Sequence, residues 1–162
     1  MIRISSLIAL VALFSVNVAH AVPALSVNIA NPISVDYYMA NGATNSTSST
    51  SINVVLTGGC TGKVKSLMFG KALDKNTTTY PINGVCPTSG TYSVSVPASG
   101  NDVLPASAVA DFKTRCTKVG TIQARYSFDS TLYADSTNKV YGTTGVIAKS
   151  TGSTVYFNVN CK

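Results

Sequence analysis

Apolar side chains stand at every second position of Leu25-Ser26-Val27-Asn28-Ile29-Ala30, and Asn31-Pro32 follows directly. A period of two places Leu25, Val27 and Ile29 on one face of an extended chain. Because proline has no N–H to donate to a sheet ladder, it marks the end of the run. This stretch therefore predicts a β-strand with one buried face.

The same alternation recurs along the rest of the chain. It predicts further strands at residues 33–39, 52–56, 64–69, 80–85, 91–96, 120–128 and 155–159, with 80–85 at a sheet edge. Residues 41–51 are expected to be a surface loop, 97–102 a turn, and 134–138 the turn of a hairpin between 132–133 and 139–141. Only 104–112 suits a helix, with Pro105 in its first turn. Eight or so short strands, spaced by turn residues, predict an all-β sandwich.

The first 21 residues have the three parts of a secretory signal. Arg3 supplies a positive start, residues 7–16 are almost entirely apolar, and Ala19-His20-Ala21 matches a cleavage site. The apolar run is too short to span about 30 Å of hydrocarbon. We therefore expect residues 1–21 to be removed on export. Residues 22–162 would then form a single domain, with 22–30 as its N-terminal strand.

The inventory of side chains argues against catalysis. His20 is the only histidine, and the chain contains no glutamate and no tryptophan. After cleavage there would be no imidazole to act as a general base near neutral pH, which excludes a Ser-His-Asp site. No Ser-x-x-Lys motif in a strand–helix context and no phosphate-binding loop stands out. The sequence thus predicts neither an enzyme nor a bound cofactor.

Four cysteines remain after the predicted cleavage, namely Cys60, Cys86, Cys116 and Cys161. An even number in an exported chain predicts two disulfides. A zinc site is the weaker interpretation, because no Cys-x-x-Cys pair occurs and histidine is absent. Three pairings are open. Bonds between neighbours in sequence, Cys60–Cys86 and Cys116–Cys161, are favoured because such residues meet most readily.

The charge is moderately positive. The formal net charge is +6, from 12 basic and 6 acidic residues. Two groups of basic side chains occur, Lys63, Lys65, Lys71 and Lys75, and then Lys113, Arg115, Lys118 and Arg125. They could contact an anionic surface, but a solvated polar face is favoured because no aromatic residues interleave with the charges. We therefore expect no nucleic-acid partner.

Two other sets of side chains are candidates for binding. Five tyrosines could either stack on sugars or pack inside the sandwich, and packing is favoured. These are Tyr37, Tyr38, Tyr126, Tyr133 and Tyr141. Asp129 and Asp135 flank the predicted hairpin and could bind calcium, but turn formation is favoured because no acidic loop gathers further ligands. No metal site is predicted.

The run from Leu25 to Asp36 resembles the start of mature major pilins of the alpha (CFA/I-type) group of bacterial chaperone–usher fimbriae. Those pilins also open with an alternating donor strand followed by an acidic or amide residue and proline. A second similarity is to archaic pilins and spore-coat-U-like domains. It rests on Cys60 before Phe69-Gly70, Val85-Cys86 before strand 91–96, and Tyr133-Ala134-Asp135 with Tyr141-Gly142. The pair of disulfides and the terminal Cys161 depart from these patterns, so the subfamily stays open.

This resemblance implies a fold and a set of partners. The fold would be an incomplete immunoglobulin-like sandwich, completed by donor-strand exchange in which Leu25, Val27 and Ile29 enter the sheet of a neighbouring subunit. The partners would be identical or related pilin subunits, a periplasmic chaperone, an outer-membrane usher and a receptor on a host surface. The product would be an adhesive fimbria outside the cell. The alternative is a monomeric secreted module stapled by two disulfides, such as an adhesin, an inhibitor or a carbohydrate binder.

Overall fold

A computed structural model describes residues 22–30, 32–71, 77–137 and 139–162 of the chain. The predicted signal peptide with His20, Asn31 of the N-terminal pattern, and Asn138 lie outside these residues. Nine strands occur within the described parts: β1 (Ala24–Ile29), β2 (Ile33–Tyr38), β3 (Ala43–Asn45), β4 (Ser49–Thr57), β5 (Gly62–Lys71), β6 (Thr77–Cys86), β7 (Thr91–Ser99), β8 (Gly120–Ala134) and β9 (Val146–Cys161). Two helices, α1 (Gly100–Val103) and α2 (Ala106–Arg115), join β7 to β8, and a 3-10 turn covers Lys139–Tyr141.

The strands form two sheets. One has three strands in the order β1-β4-β7, and the other has six in the order β3-β2-β9-β8-β5-β6. Every pairing is antiparallel except that of β2 with β9, which is parallel. The two sheets contact each other, since β1 of the small sheet lies close to β9 of the large one. The prediction of an all-β fold is confirmed.

The core lies between the sheets and is built by the alternation seen in the sequence. In β8, Ala124, Tyr126 and Phe128 are buried while the residues between them are exposed. The rings of Phe69 and Phe128 stack with their centroids 4.3 Å apart. At one end, Phe112 of α2 packs edge-on against Tyr37 and Tyr126, with centroids 5.9 and 6.3 Å away. Burying an aromatic side chain contributes roughly 1.5–3 kcal/mol, so these rings are a large part of the fold's stability.

The prediction of a surface loop at residues 41–51 is wrong in part. Asn41 and Gly42 make a tight turn in which Gly42 has a φ of +71° and its N–H donates to the Tyr38 carbonyl at 2.7 Å. The chain then pairs back on β2 as β3. β4 begins at Ser49, because its polar first residues find backbone partners on β7. Composition marked this segment as a loop, but ladder hydrogen bonds depend on the neighbouring strand and not on composition.

The turn expected at residues 97–102 is also wrong. β7 runs through Pro97 to Ser99, which the sheet tolerates because β7 is an edge strand of the three-stranded sheet. α1 follows with a capping box. The backbone N–H of Asp102 donates to the Ser99 hydroxyl at 3.2 Å, and that of Ser99 donates to the Asp102 carboxylate at 3.4 Å.

The helix and the hairpin lie close to, but not at, their predicted places. α2 spans Ala106–Arg115 where 104–112 was expected, with Pro105 as its N-cap. The predicted hairpin between 132–133 and 139–141 is wrong, since residues 139–141 form the 3-10 turn. The end of β8 pairs instead with the start of β9, where the Ala134 N–H donates to the Gly145 carbonyl at 2.7 Å. β8 and β9 are therefore longer than the alternation alone suggested.

Candidate functional site

β1 lies at the edge of the three-stranded sheet, paired with β4 over its whole length. Its three predicted donor residues each lie directly opposite an apolar residue of β4. The pairs are Leu25 with Leu56, Val27 with Val54, and Ile29 with Ile52. Val27 is 3% exposed, and Leu25 and Ile29 are half-buried against the core. The alternation of the sequence thus becomes an apolar stripe that covers one side of the core.

The outer face of the same sheet carries a polar ladder. The amide of Asn53 on β4 donates to the Asn28 side chain on β1 at 3.3 Å. The hydroxyl of Ser95 on β7 donates to the Asn53 side-chain oxygen at 3.0 Å. One side chain of the central strand therefore joins both edge strands, and the ladder fixes their register on the solvent side.

The N-terminal segment passes from one sheet to the other after β1. Ala30 stays with β4, since its N–H donates to the Ser51 carbonyl and its carbonyl accepts from the Thr50 hydroxyl, both at 3.1 Å. β2 then runs parallel to β9 with Ile33, Val35 and Tyr37 buried. β1 therefore forms an edge of the small sheet, whereas β2 lies inside the large sheet between β3 and β9.

β2 is also tied to the C-terminus by charge. The Lys162 ammonium lies 2.6 Å from one Asp36 oxygen, and the Asn160 amide donates to the other at 3.0 Å. The hydrogen bond from Lys162, followed by that from Asn160, lowers the pKa of Asp36. Backbone hydrogen bonds of 2.9 Å link Lys162 with Tyr37 and Met39 on the same strand and the turn after it. The C-terminal residues are thus held against β2.

Two disulfides staple the described residues, in the pairing that the sequence favoured. Cys60 bonds to Cys86 across the ends of β5 and β6, with Cα atoms 5.6 Å apart. Cys116, just after α2, bonds to Cys161 in β9, with Cα atoms 5.5 Å apart. Disulfides persist in oxidising compartments, so the chain has the chemistry of an exported protein.

The five tyrosines considered for binding differ in how deeply they are buried. Tyr37 and Tyr126 are buried, which confirms the packing interpretation for them. Tyr141 is half-buried, and its hydroxyl accepts from the Thr61 N–H at 2.8 Å. Tyr133 is also half-buried. Tyr38 is 37% exposed, with the Lys162 ammonium 5.9 Å from its ring centroid.

The two aspartates considered for calcium binding each accept a hydrogen bond from a backbone N–H group. Asp129 accepts from the Gly152 N–H at 3.0 Å, and Asp135 accepts from the Thr137 N–H at 2.9 Å. Hydrogen bonds from the Thr137 backbone and then its side chain lower the pKa of Asp135. Within the described ranges, no group of three or more His, Cys, Asp or Glu side chains could hold a metal ion.

One exposed aromatic residue was missed by the sequence reasoning. Tyr156 is 54% exposed and lies opposite Arg125 on the outer face of the large sheet. A signal for it was present, because Tyr156 stands between the inward-facing Val155 and Phe157 and therefore has outward parity. It joins Arg115 and Arg125 of the second predicted basic group around a single depression. Lys75 of the first group lies outside the described residues.

Among the residues that the structure describes, no helix is long and apolar enough to cross a membrane. No family model matches the sequence, and comparisons with curated proteins and with solved structures give no match. The conclusions about function below rest on the residues and their geometry.

Proposed function

We propose that the protein is a structural subunit of an adhesive surface fimbria, and that subunits join by exchanging β1. Leu25, Val27 and Ile29 of one subunit would lie on β4 of the next. The observation that carries this proposal is the place of β1. It is an N-terminal edge strand whose apolar side chains cover the core from outside.

The physical argument is that exchange needs no new kind of contact. The register of β1 on β4 can form equally between two chains, which makes swapping of an identical element a low-cost route to assembly. A subunit without β1 would expose Ile52, Val54 and Leu56 beside an unpaired edge, which is an aggregation hazard. A periplasmic chaperone and an outer-membrane usher, as the resemblance implies, would protect that edge until the next subunit arrives.

The fold that goes with this proposal is an immunoglobulin-like sandwich. In it, β1 and β2 are two halves of a first strand divided between the sheets, and β9 is the last strand. In a subunit whose β1 has been given to a neighbour, the sandwich would be incomplete, because removal of β1 would uncover part of its core. Two sheets with these neighbours support this interpretation.

A second candidate function is a monomeric secreted binding module. The observation that favours it is that β1 and β2 pair within their own chain, so that one molecule covers its own core. Such a protein would fold without a chaperone and remain a monomer.

The experiment is gel electrophoresis in SDS of protein sheared from producing cells, with and without boiling. We expect a ladder of multimers that collapses to one band on boiling, because exchanged strands are held by a buried, kinetically trapped core. The test variant is Val27→Asp, which places a charge at a position that is 3% exposed. Its matched control is Ser26→Asp, which adds the same charge at the exposed neighbouring position of the same strand.

The two variants should differ sharply. Ser26→Asp should keep the ladder, and Val27→Asp should lose it. A single monomer band from the unboiled wild type would contradict exchange and would favour the monomeric module. A ladder of undiminished length from Val27→Asp would show that multimers form without β1 in this register.

A further inference from the structure

A shallow depression of about 350 Å³ lies where the end of α2 meets β8 and β9. Four of its lining side chains are Arg115, Gln123, Arg125 and Tyr156, named here the arginine–tyrosine surface. The volume falls within the range of small-ligand sites, about 300–1,000 Å³. The depression is separate from β1 and its pairing edge on β4.

Tyr156 and Arg125 stand side by side on the outer face of the large sheet. They are directly opposite each other in the β8–β9 register. Side chains so placed have Cβ atoms about 4.5–5.5 Å apart. A phenol ring, 54% exposed, and a guanidinium group are therefore presented together to solvent.

Arg115 is held firmly beside them. Its Nη1 atom lies 3.0 Å from Asp111 Oδ2, and Nη2 donates to the Gln123 carbonyl. Asp111 Oδ2 also accepts from the Tyr126 hydroxyl at 2.6 Å. The next residue, Cys116, is bonded to Cys161 on the strand that carries Tyr156. The position of this guanidinium is therefore fixed relative to the exposed ring.

The surface carries a net positive charge, because Asp111 pairs with Arg115 and leaves Arg125 as the uncompensated guanidinium group. The Asp111 carboxylate already accepts hydrogen bonds from Arg115 and Tyr126. Arg125 makes no ion pair with any residue that the structure describes. Planar guanidinium forks match the geometry of carboxylate and sulfate groups, and they bind such anions in a bidentate manner.

We propose that the arginine–tyrosine surface binds an acidic saccharide, a sugar that carries carboxylate or sulfate groups. A sugar ring has an apolar C–H face, which packs on an exposed aromatic ring such as that of Tyr156. Its hydroxyl groups need amide partners, and Gln123 and its cross-strand neighbour Asn158 supply them on the same face. Its anionic group meets Arg125 and Arg115.

The alternative anionic polymer, a nucleic acid, fits less well. A nucleic acid needs a long track of cationic residues along its phosphates, whereas this surface has two guanidinium groups and one ring. It suits one or two sugar units. The proposal holds whether β1 is exchanged or stays in its own chain, so its failure would leave the proposed assembly untouched.

The test is isothermal titration of the full exported chain with four short probes at low salt. Two are acidic, a sulfated heparin tetrasaccharide and a carboxylated hyaluronan tetrasaccharide, and at least one should bind. A neutral chitin tetrasaccharide and a four-residue thymidine oligonucleotide should bind at least tenfold more weakly than that probe. Raising the salt concentration should weaken the acidic sugar, since exposed charges are screened.

The variants separate this surface from general positive charge. Arg125→Gln should weaken binding about tenfold or more, as expected for loss of a charged hydrogen bond. Tyr156→Ser should weaken it several-fold. The control Lys65→Gln removes the same charge from another exposed position and should change binding less than twofold. Arg125→Lys should recover only part of the affinity, because lysine keeps the charge without the fork.

Several results would overturn the proposal. Binding of neither acidic tetrasaccharide would do so, as would equal binding of the neutral one. Equal losses in Arg125→Gln and Lys65→Gln would show attraction to overall charge and not to this surface. Tighter binding of the oligonucleotide would assign the surface to nucleic acid. Thermal melting of each variant checks that the substitutions, all at exposed positions, leave the fold intact.

Discussion

At the scale of single residues, Asp111 and Tyr126 form the most consequential polar contact. The Tyr126 side chain is buried, and its hydroxyl donates to Asp111, which also pairs with Arg115 at the end of α2. Burial, and then the hydrogen bond to Asp111, raises the pKa of Tyr126. Burial also acts to raise the pKa of Asp111, but the hydrogen bonds from Tyr126 and Arg115 outweigh it and lower that pKa.

These shifts predict how stability changes at alkaline pH. Because the pKa of Tyr126 is raised on folding, its contribution is complete below the ordinary tyrosine pKa of about 10 and is lost as pH rises further. We expect the free energy of unfolding in urea to fall above pH 10. In Tyr126→Phe that fall should be shallower, and stability at pH 7 should be lower by about 1–3 kcal/mol because a hydrogen bond to a charged group is lost.

Tyr80→Phe is the control for this prediction. Burial, and then the charge of Asp102, raises the pKa of Tyr80 to about 12, so its removal should also reduce the alkaline fall. Its hydroxyl, however, has no hydrogen-bond partner among the described residues. Removing an unpartnered buried hydroxyl should leave stability at pH 7 unchanged or slightly higher. Equal losses at pH 7 in the two variants would contradict the role given to the Asp111 contact.

At the scale of elements, the two disulfides make distinct contributions. Cys60–Cys86 closes a separation of 26 residues and Cys116–Cys161 one of 45. Chain entropy predicts losses of about 3.5 and 4 kcal/mol when each pair is replaced by serine. Urea unfolding measures both. The Cys116→Ser, Cys161→Ser variant should in addition weaken sugar binding, because α2 would no longer be tied to β9. If replacing either cysteine pair by serine left the free energy of unfolding unchanged, the stabilising role assigned to that disulfide would be contradicted.

The elements also show what sequence pattern can predict. Strands with one buried face were found wherever apolar residues alternate, as at Val155, Phe157 and Val159 in β9. The polar strand β3 and the start of β4 were missed, because Ser49 and its neighbours are held by partner strands and not by burial. The long β8–β9 ladder was missed because Asp129 lies at an irregularity that shifts the register and interrupts the alternation.

The candidate sites were predictable to different degrees. Leu25, Val27 and Ile29 could be selected from their alternation, and the disulfide pairing from proximity in sequence. The arginine–tyrosine surface could be predicted only in part: Arg115 and Arg125 belong to one basic group of the sequence, but Tyr156 lies far from both in the chain. They meet only because α2 folds against β8 and because β8 pairs with β9 in one particular register.

At the scale of the whole molecule, the proposed function makes the N-terminal segment the part that would decide between monomer and polymer. β1 covers the core through β4, and β2 is secured to β9 and to Lys162. Exchange of β1 alone would therefore leave the ion pair between Asp36 and Lys162 in place. Fibre strength would come from the apolar register of β1, and the arginine–tyrosine surface would remain free on each subunit.

The most direct measurement is covalent capture of the β1–β4 pair. In Asn28→Cys, Asn53→Cys the two new thiols stand opposite each other, where the asparagine side chains are 3.3 Å apart. The control is Asn53→Cys, Ser95→Cys, which joins β4 to β7, two strands of the same subunit in either function. Protein from producing cells is oxidised, boiled in SDS without reductant and separated by size.

We predict that Asn28→Cys, Asn53→Cys gives a covalent ladder that survives boiling, while the control gives only monomer. That result would mean that β1 of one chain lies on β4 of another. If the first variant instead gives only monomer, with residues 28 and 53 linked within one chain by peptide mapping, strand exchange is contradicted and the protein is a self-contained module.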